Sequence, residues 1–188
     1  DYQQRITNAL GDAHRMSNII VGLLNMARAE YDKSQIKTEP IRIDELVMEV
    51  REQLLRANPA FHINIDYDES LMREGGDDCL LVQANHYLRA LAIRNLMENN
   101  CKYSTDKTSW VTLFLDDGHP ALSFVDHGIG MSNAELASLG RPFFRAKTHT
   151  VEGHGIGMAL AQRIITLHKG QLQVISKEGH GTTFWIKL

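Results

Sequence analysis

The sequence of 188 residues predicts an α+β protein: one long bundle-type helix, then a domain in which amphipathic helices are interleaved with short strands. Three observations carry this. Apolar residues keep a heptad from Arg5 to about Glu30. The segments from Glu45, from Asn85 and from Met158 place apolar residues on one helical face. Between and after them, stretches such as Phe61–Ile65 and Trp110–Leu115 alternate apolar and polar residues with the period of a half-buried strand.

Composition narrows the class. Hydrophobic residues make up 43%, charged residues 23%, and the formal charge is −3, as in ordinary soluble globular chains. No basic excess points to nucleic acid. The run Ile19–Leu24 is interrupted by Gly22 and falls short of the roughly 18 apolar residues a membrane span needs. Cys79 and Cys101 have no CxxC neighbour, so both read as packing residues in a reducing compartment. The chain opens at Asp1 inside a helical pattern and is expected to be part of something longer.

In the heptad, Ile6, Ala13, Ile20 and Ala27 fill one seam position and Ala9, Met16 and Leu23 the other, widened by Leu10 and Leu24. A stripe this wide needs partner helices. His14, one step off the seam, reads as a surface histidine. Asp32–Pro40 is polar, ends in proline and reads as a linker. Ile41–Ile43 is expected as a short strand and Asp44 as the N-cap of a helix to about Arg56, stopped at Asn58-Pro59. Glu74–Asp78 reads as an acidic turn, and a long helix is expected from about Asn85 to Lys102. Trp110–Leu115 and Ala121–Val125 form a hairpin about Asp116–Pro120. Met131–Gly155, rich in glycine and basic residues, reads as a functional loop with only short helical hints. Two closing strands flank Gly179-His180-Gly181.

Three stretches carry chemistry. Asn95, Asn99 and Lys102 share one helical face, with Tyr103 one turn past Asn99. Amides and an ammonium at the edge of a buried stripe need partners, which magnesium and polyphosphate would supply; a solvated helix end is the alternative. Asp126-x-Gly128-x-Gly130 follows a strand, where the carboxylate can accept from an exocyclic amine and the glycines can turn under a flat ring. Gly153, Gly155 and Gly157 precede the last helix, an arrangement that suits phosphate but also occurs in plain turns. His127, His149, His154 and His180 fall in or near the glycine loops, where a metal cluster is conceivable, but their irregular spacing favours ordinary loop histidines. Phe143 and Phe144 read as packing residues of the loop.

Taken in order, the motifs resemble those of the sensor histidine kinases of two-component signalling, whose ATP-binding domain shares the Bergerat fold with DNA gyrase, mismatch-repair and heat-shock chaperone ATPases. Asn95-Leu96-Met97-Glu98-Asn99-Asn100-Cys101-Lys102-Tyr103 looks like the N-box and Asp126–Gly130 like the first glycine box. Pro142-Phe143-Phe144-Arg145 looks like the F-box, Gly153–Met158 like the second glycine box, and Gly179-x-Gly181-Thr182 like the last. The resemblance covers essentially the whole chain. It implies a two-layer α/β sandwich with a mixed sheet covered by helices on one face. Residues 1–31 would be the second helix of the dimerisation and histidine-phosphotransfer domain, 32–40 a linker, and 41–188 the catalytic ATP-binding domain.

Residue by residue, the resemblance implies that Asn99 coordinates magnesium and Asn95 supports the same phosphate and metal site. Lys102 would contact phosphate, Tyr103 would line the pocket, and Asp126 would read the adenine amine. Gly128, Gly130, Gly153, Gly155, Ile156, Gly157, Met158 and Thr182 belong to the boxes that hold ATP, while Arg145 and Lys147 lie in the lid, where a cation can approach the terminal phosphate. Asn95, Asn99 and Arg145 are the catalytic candidates. Asn100 departs from the usual alanine, Met158 from leucine, and Gly140 from the phenylalanine that often opens the F-box.

The implied reaction is transfer of the ATP γ-phosphoryl group to a histidine, then to an aspartate of a response-regulator receiver domain, by a homodimer joined through its bundle helices and cytoplasmic in a membrane-anchored sensor. None of the nine histidines is followed by the family's acidic residue and proline, so the acceptor is expected upstream of Asp1 and this chain alone is expected not to autophosphorylate. The hydrolytic relatives place a general-base glutamate where Asn95 stands; Glu98, adjacent in sequence to Asn99, points roughly 100° away from it around the helix, so hydrolysis is expected to be slow. A conformational ATPase and a docking module without transfer are the rival readings.

Overall fold

The computed structural model describes residues 36–76, 78–145 and 155–188, together with residues 2, 5, 6, 9–11, 13, 16, 17 and 20. The chain divides into two compact units, Asp1–Ile36 and Lys37–Leu188. In the first, the described heptad residues Ile6, Ala9, Ala13, Met16 and Ile20 are all helical. Ile6, Leu10, Met16 and Ile20 are each more than half exposed. The expectations for His14, Leu23, Leu24 and Ala27 lie outside the described residues.

The second unit is built on a mixed five-stranded sheet. Its strands are β2 (His62–Tyr67), β4 (Thr108–Asp116), β5 (His119–Asp126), β6 (Gln171–Lys177) and β7 (Gly181–Lys187), in the order β2-β4-β5-β7-β6. Only the β2–β4 pairing is parallel; the others are antiparallel. A separate antiparallel ribbon pairs β1 (Glu39–Arg42) with β3 (Leu81–Ala84). The helices are α1 (Ile43–Ala57), α2 (Ser70–Glu74), α3 (His86–Tyr103), α4 (Asn133–Leu136) and α5 (Gly157–Leu167).

Alternation along the strands decides where the core lies. Val111, Leu113, Leu122, Phe124, Phe184 and Ile186 turn one way and are buried, as are Val50 and Leu54 of α1, Leu96 and Met97 of α3, and Leu160 and Ile164 of α5. Trp110, Trp185 and Ile175 turn the other way and remain 41%, 44% and 61% exposed. This is the predicted two-layer arrangement, with helices on one face. The long helix α3 contacts α1, α5 and the sheet, so residues along its last turns are placed by the whole core.

Several local expectations shift. The first helix begins at Ile43, not Glu45, because Ile43 is fully buried; Arg42 is its N-cap residue and Asp44 sits in the first turn, held at 3.0 Å by the Arg42 guanidinium. Pro40, read as linker, pairs with Gln83 in the ribbon. Glu74 ends a short helix, α2, so the acidic turn starts later than expected. The hairpin loop is only Asp117-Gly118, both at positive φ (51° and 74°), a two-residue type I′ geometry. The long helix α3 begins at His86, and Asn85, expected as its first residue, is its N-cap, the side chain accepting from the Leu88 amide at 3.0 Å. Inside the long loop, Ser132 and Glu135 form a reciprocal capping box on α4.

Candidate functional site

The site forms where the end of α3, the loop after β5, the start of β7 and the start of α5 meet. Asn95 and Asn99 face α5: an added Cβ on Gly157 would come within 2.8 Å of Asn95 Oδ1, and Asn99 donates from Nδ2 toward Met158 Sδ at 3.9 Å. Asn95 donates its own Nδ2 to the Leu91 carbonyl at 3.0 Å. Glycine at position 157 therefore lets α5 pack closely on the Asn95 amide, while its backbone is that of an ordinary helical residue. Lys102 Nζ lies 2.8 Å from Glu98 Oε1, with side chains 23% and 15% exposed.

Asp126, at the end of β5, is 3% exposed. Its Oδ1 accepts from the Gly128 amide at 2.9 Å and the Thr182 amide at 3.3 Å. Among the described residues, Oδ2 has no bonded donor. Burial pushes the carboxyl up to about 6, against the opposing pull of the two amides. The glycines are required by close approach: a Cβ on Gly128 would meet the Tyr103 carbonyl oxygen at 1.9 Å, and one on Gly181 would meet the Asp126 carbonyl oxygen at 2.0 Å. Gly130, at φ 62°, lies equally close to the Lys177 carbonyl. Ser104 bridges to Gly128, and Ile129 donates to the Tyr103 carbonyl at 3.3 Å, so the loop is bound to the end of α3.

Of the residues singled out in the sequence, the structure thus brings Asn95 and Asn99 against Gly157 and Met158, and Asp126 against Gly128 and Thr182, the two groups being linked where Tyr103, at the end of α3 beside Lys102, meets Gly128. Gly155, at φ 68°, precedes Ile156 and accepts from the Phe143 amide at 3.0 Å. Arg145 is exposed; Lys147 and Gly153 lie outside the described residues. Phe143, expected to pack, is 75% exposed at φ 66°, where its backbone follows the Gly155 turn. Gly140, at φ 85°, has a backbone that strains the phenylalanine often found there, and a Cβ would also displace the end of the Gln162 side chain, whose Oε1 lies 1.9 Å from it. Cys101 is buried, and its thiol is pushed up to about 12, in keeping with a packing role. No cluster of metal-binding side chains occurs among the described residues.

Sequence reasoning missed Ser176. Its hydroxyl accepts from the Met131 amide at 2.9 Å and donates to the Gly181 carbonyl at 3.0 Å. That uses its one proton, so the Thr182 hydroxyl donates to it at 3.0 Å. Ser176 thereby joins the loop after β5 to the start of β7, from a strand position with no motif around it.

The donor set fits a hard divalent ion such as magnesium. With Asn99 Nδ2 turned to Met158, its amide oxygen has no bonded donor among the described residues. Amide and phosphate oxygens with water are ligands magnesium accepts.

These features define a nucleotide-binding domain of the Bergerat type, and comparison with known proteins gives the family. Residues 88–188 match the family described as histidine kinase-, DNA gyrase B-, and HSP90-like ATPase. The chain belongs to this family, and the protein carries an ATP-binding catalytic domain of the histidine kinase kind. It is 28% identical over 178 residues to the phosphate regulon sensor protein PhoR of Pseudomonas aeruginosa, covering 92% of this chain and 38% of that protein. It is likewise 28% identical over 203 residues to the adaptive-response sensory kinase SasA of Thermosynechococcus vestitus, covering 100% of this chain and 49% of that one. The chain thus spans less than half the length of either relative. Among solved structures, full-length ShkA in complex with AMPPNP superposes with a TM-score of 0.73 at 20% identity, over 99% of this chain and 38% of that one. Among the described residues, no helix is long and apolar enough to cross a membrane.

Proposed function

We propose that this chain is the ATP-binding catalytic portion of a cytoplasmic sensor histidine kinase, whose second dimerisation helix is Asp1–Tyr31 and whose acceptor histidine lies on a helix upstream. Asn99 would hold magnesium, with Asn95 supporting the same phosphates. Lys102, Arg145 and Lys147 would contact phosphate. Asp126 would accept from the adenine amine, while Tyr103, Thr182 and the glycine loops enclose the nucleotide. Bound magnesium would offset charge on the phosphate oxygens. The acceptor imidazole would displace ADP from the γ-phosphorus, and a response-regulator aspartate would take the phosphoryl group from the imidazole.

One observation favours transfer over hydrolysis. The position that needs a base toward water is Asn95, packed on Gly157, and the neighbouring acid, Glu98, is paired with Lys102. Catalysis then rests on positioning and charge. The test supplies this chain with a separate histidine-bearing dimerisation domain and labelled ATP. An acid-labile phosphohistidine on the added domain, slow phosphate release, and an affinity loss of about tenfold or more in Asn99→Ala are the expected results. Rapid steady-state phosphate release would favour the conformational ATPase, and Mg-ATP affinity unchanged by Asn99→Ala would favour a docking module.

A further inference from the structure

The Glu98–Lys102 pair has a chemical consequence for the phosphate site. Both residues lie on α3 beside Asn95 and Asn99, four positions apart, with the acid N-terminal to the base, the better orientation for such a pair. At 15% and 23% exposure the pair is screened less than a surface pair, and 2.8 Å is contact distance. The carboxylate engages one of the three ammonium donors and leaves two for an incoming oxygen. It also cancels the charge of Lys102 within the site.

We propose that Glu98 is a positioning residue that makes this site select metal-loaded over metal-free nucleotide. This rests on the reading of α3 as a phosphate-binding face. A bare triphosphate approaching Lys102 meets a pair with no net charge, and is repelled by the carboxylate. A magnesium-loaded triphosphate brings its own cation, so the same carboxylate attracts part of the ligand while holding the ammonium beside the phosphates. The sign of Glu98's contribution therefore reverses with the metal.

The experiment measures ATP affinity by titration calorimetry on the 188-residue chain, once with magnesium and once with EDTA. Glu98→Gln is expected to tighten binding in EDTA by about fivefold and to weaken binding in magnesium, collapsing the ratio of the two. Glu98→Asp keeps the charge with a shorter reach and is expected to retain most of the ratio, which also separates charge from packing. A ratio unchanged in Glu98→Gln overturns the proposal; if that variant does not fold, loss of the ratio in Glu98→Asp does so instead. Absence of any ATP binding by the unmodified chain would strike the underlying reading of the site, a distinguishable result.

Discussion

At the scale of single residues, Asp126 sets a conflict between stability and binding. Its carboxyl titrates at about 6 in the folded chain because burial disfavours the charge, against 3.8 ordinarily. The folded state therefore holds this proton more tightly than the unfolded state. The resulting stabilisation is full below about pH 3.8 and is lost as pH rises through about 6, a change on the order of 3 kcal/mol. An amine donor needs the opposite state, the carboxylate. ATP affinity is thus expected to rise with pH through 6 while the nucleotide-free melting temperature falls. Asp126→Asn keeps an acceptor for the Gly128 and Thr182 amides and removes the titration. It should melt higher than the unmodified chain at pH 7.5, show little difference at pH 4, and bind ATP more weakly. Equal pH dependence of melting in both proteins would assign the effect to other groups.

At the scale of elements, α3 carries the site at a cost within its own core face. Arg89 and Asn100 are eleven residues apart, about three turns, and so project in nearly the same direction. They are 1% and 0% exposed, yet among the described residues Nε and Nη1 of Arg89 and both amide atoms of Asn100 have no hydrogen-bond partner. Burial also pulls the Arg89 guanidinium down to about 10. An unsatisfied buried group costs about 1–3 kcal/mol, so Asn100→Ala should raise the melting temperature by several degrees without changing ATP affinity. Arg89→Met, of similar length and uncharged, should raise it further. Thermal denaturation of the two variants is the check, and a lower midpoint in both would mean that these side chains are partnered in solution. The same helix shows what a sequence reading can reach. Asn95, Asn99 and Asp126 stand in contiguous motifs, and the structure brings them to one place. Arg89 was not legible as core because a charged residue breaks an apolar pattern. The pairing of Glu98 with Lys102 depends on rotamers that helical spacing permits without specifying. Ser176 acts on Met131 from 45 positions away, a relation created by the pairing of β5 with β7 and of β7 with β6. The capping box of α4 was present as Ser132 and Glu135, but a four-residue helix is too short to show a period.

At the scale of the whole molecule, the two units have different reasons to exist. Every buried apolar residue among those described lies at Ile41 or beyond, so Lys37–Leu188 contains its own core. The helical unit shows the reverse, since Ile6, Leu10, Met16 and Ile20 present an apolar stripe that its own unit leaves exposed. Stability and nucleotide binding should therefore belong to the second unit, and association to the first. A chain trimmed to Lys37–Leu188 is expected to unfold in one cooperative transition, within about 3 °C of the corresponding transition of the full chain, and to bind ATP with the same affinity. Sedimentation of the trimmed chain should give a monomer at all concentrations, whereas the average mass of the full chain should increase with concentration. If trimming lowered the melting point markedly, the core of Lys37–Leu188 would depend on the helix it has lost. If the full chain stayed monomeric, the heptad stripe would not suffice for association between two copies of this helix.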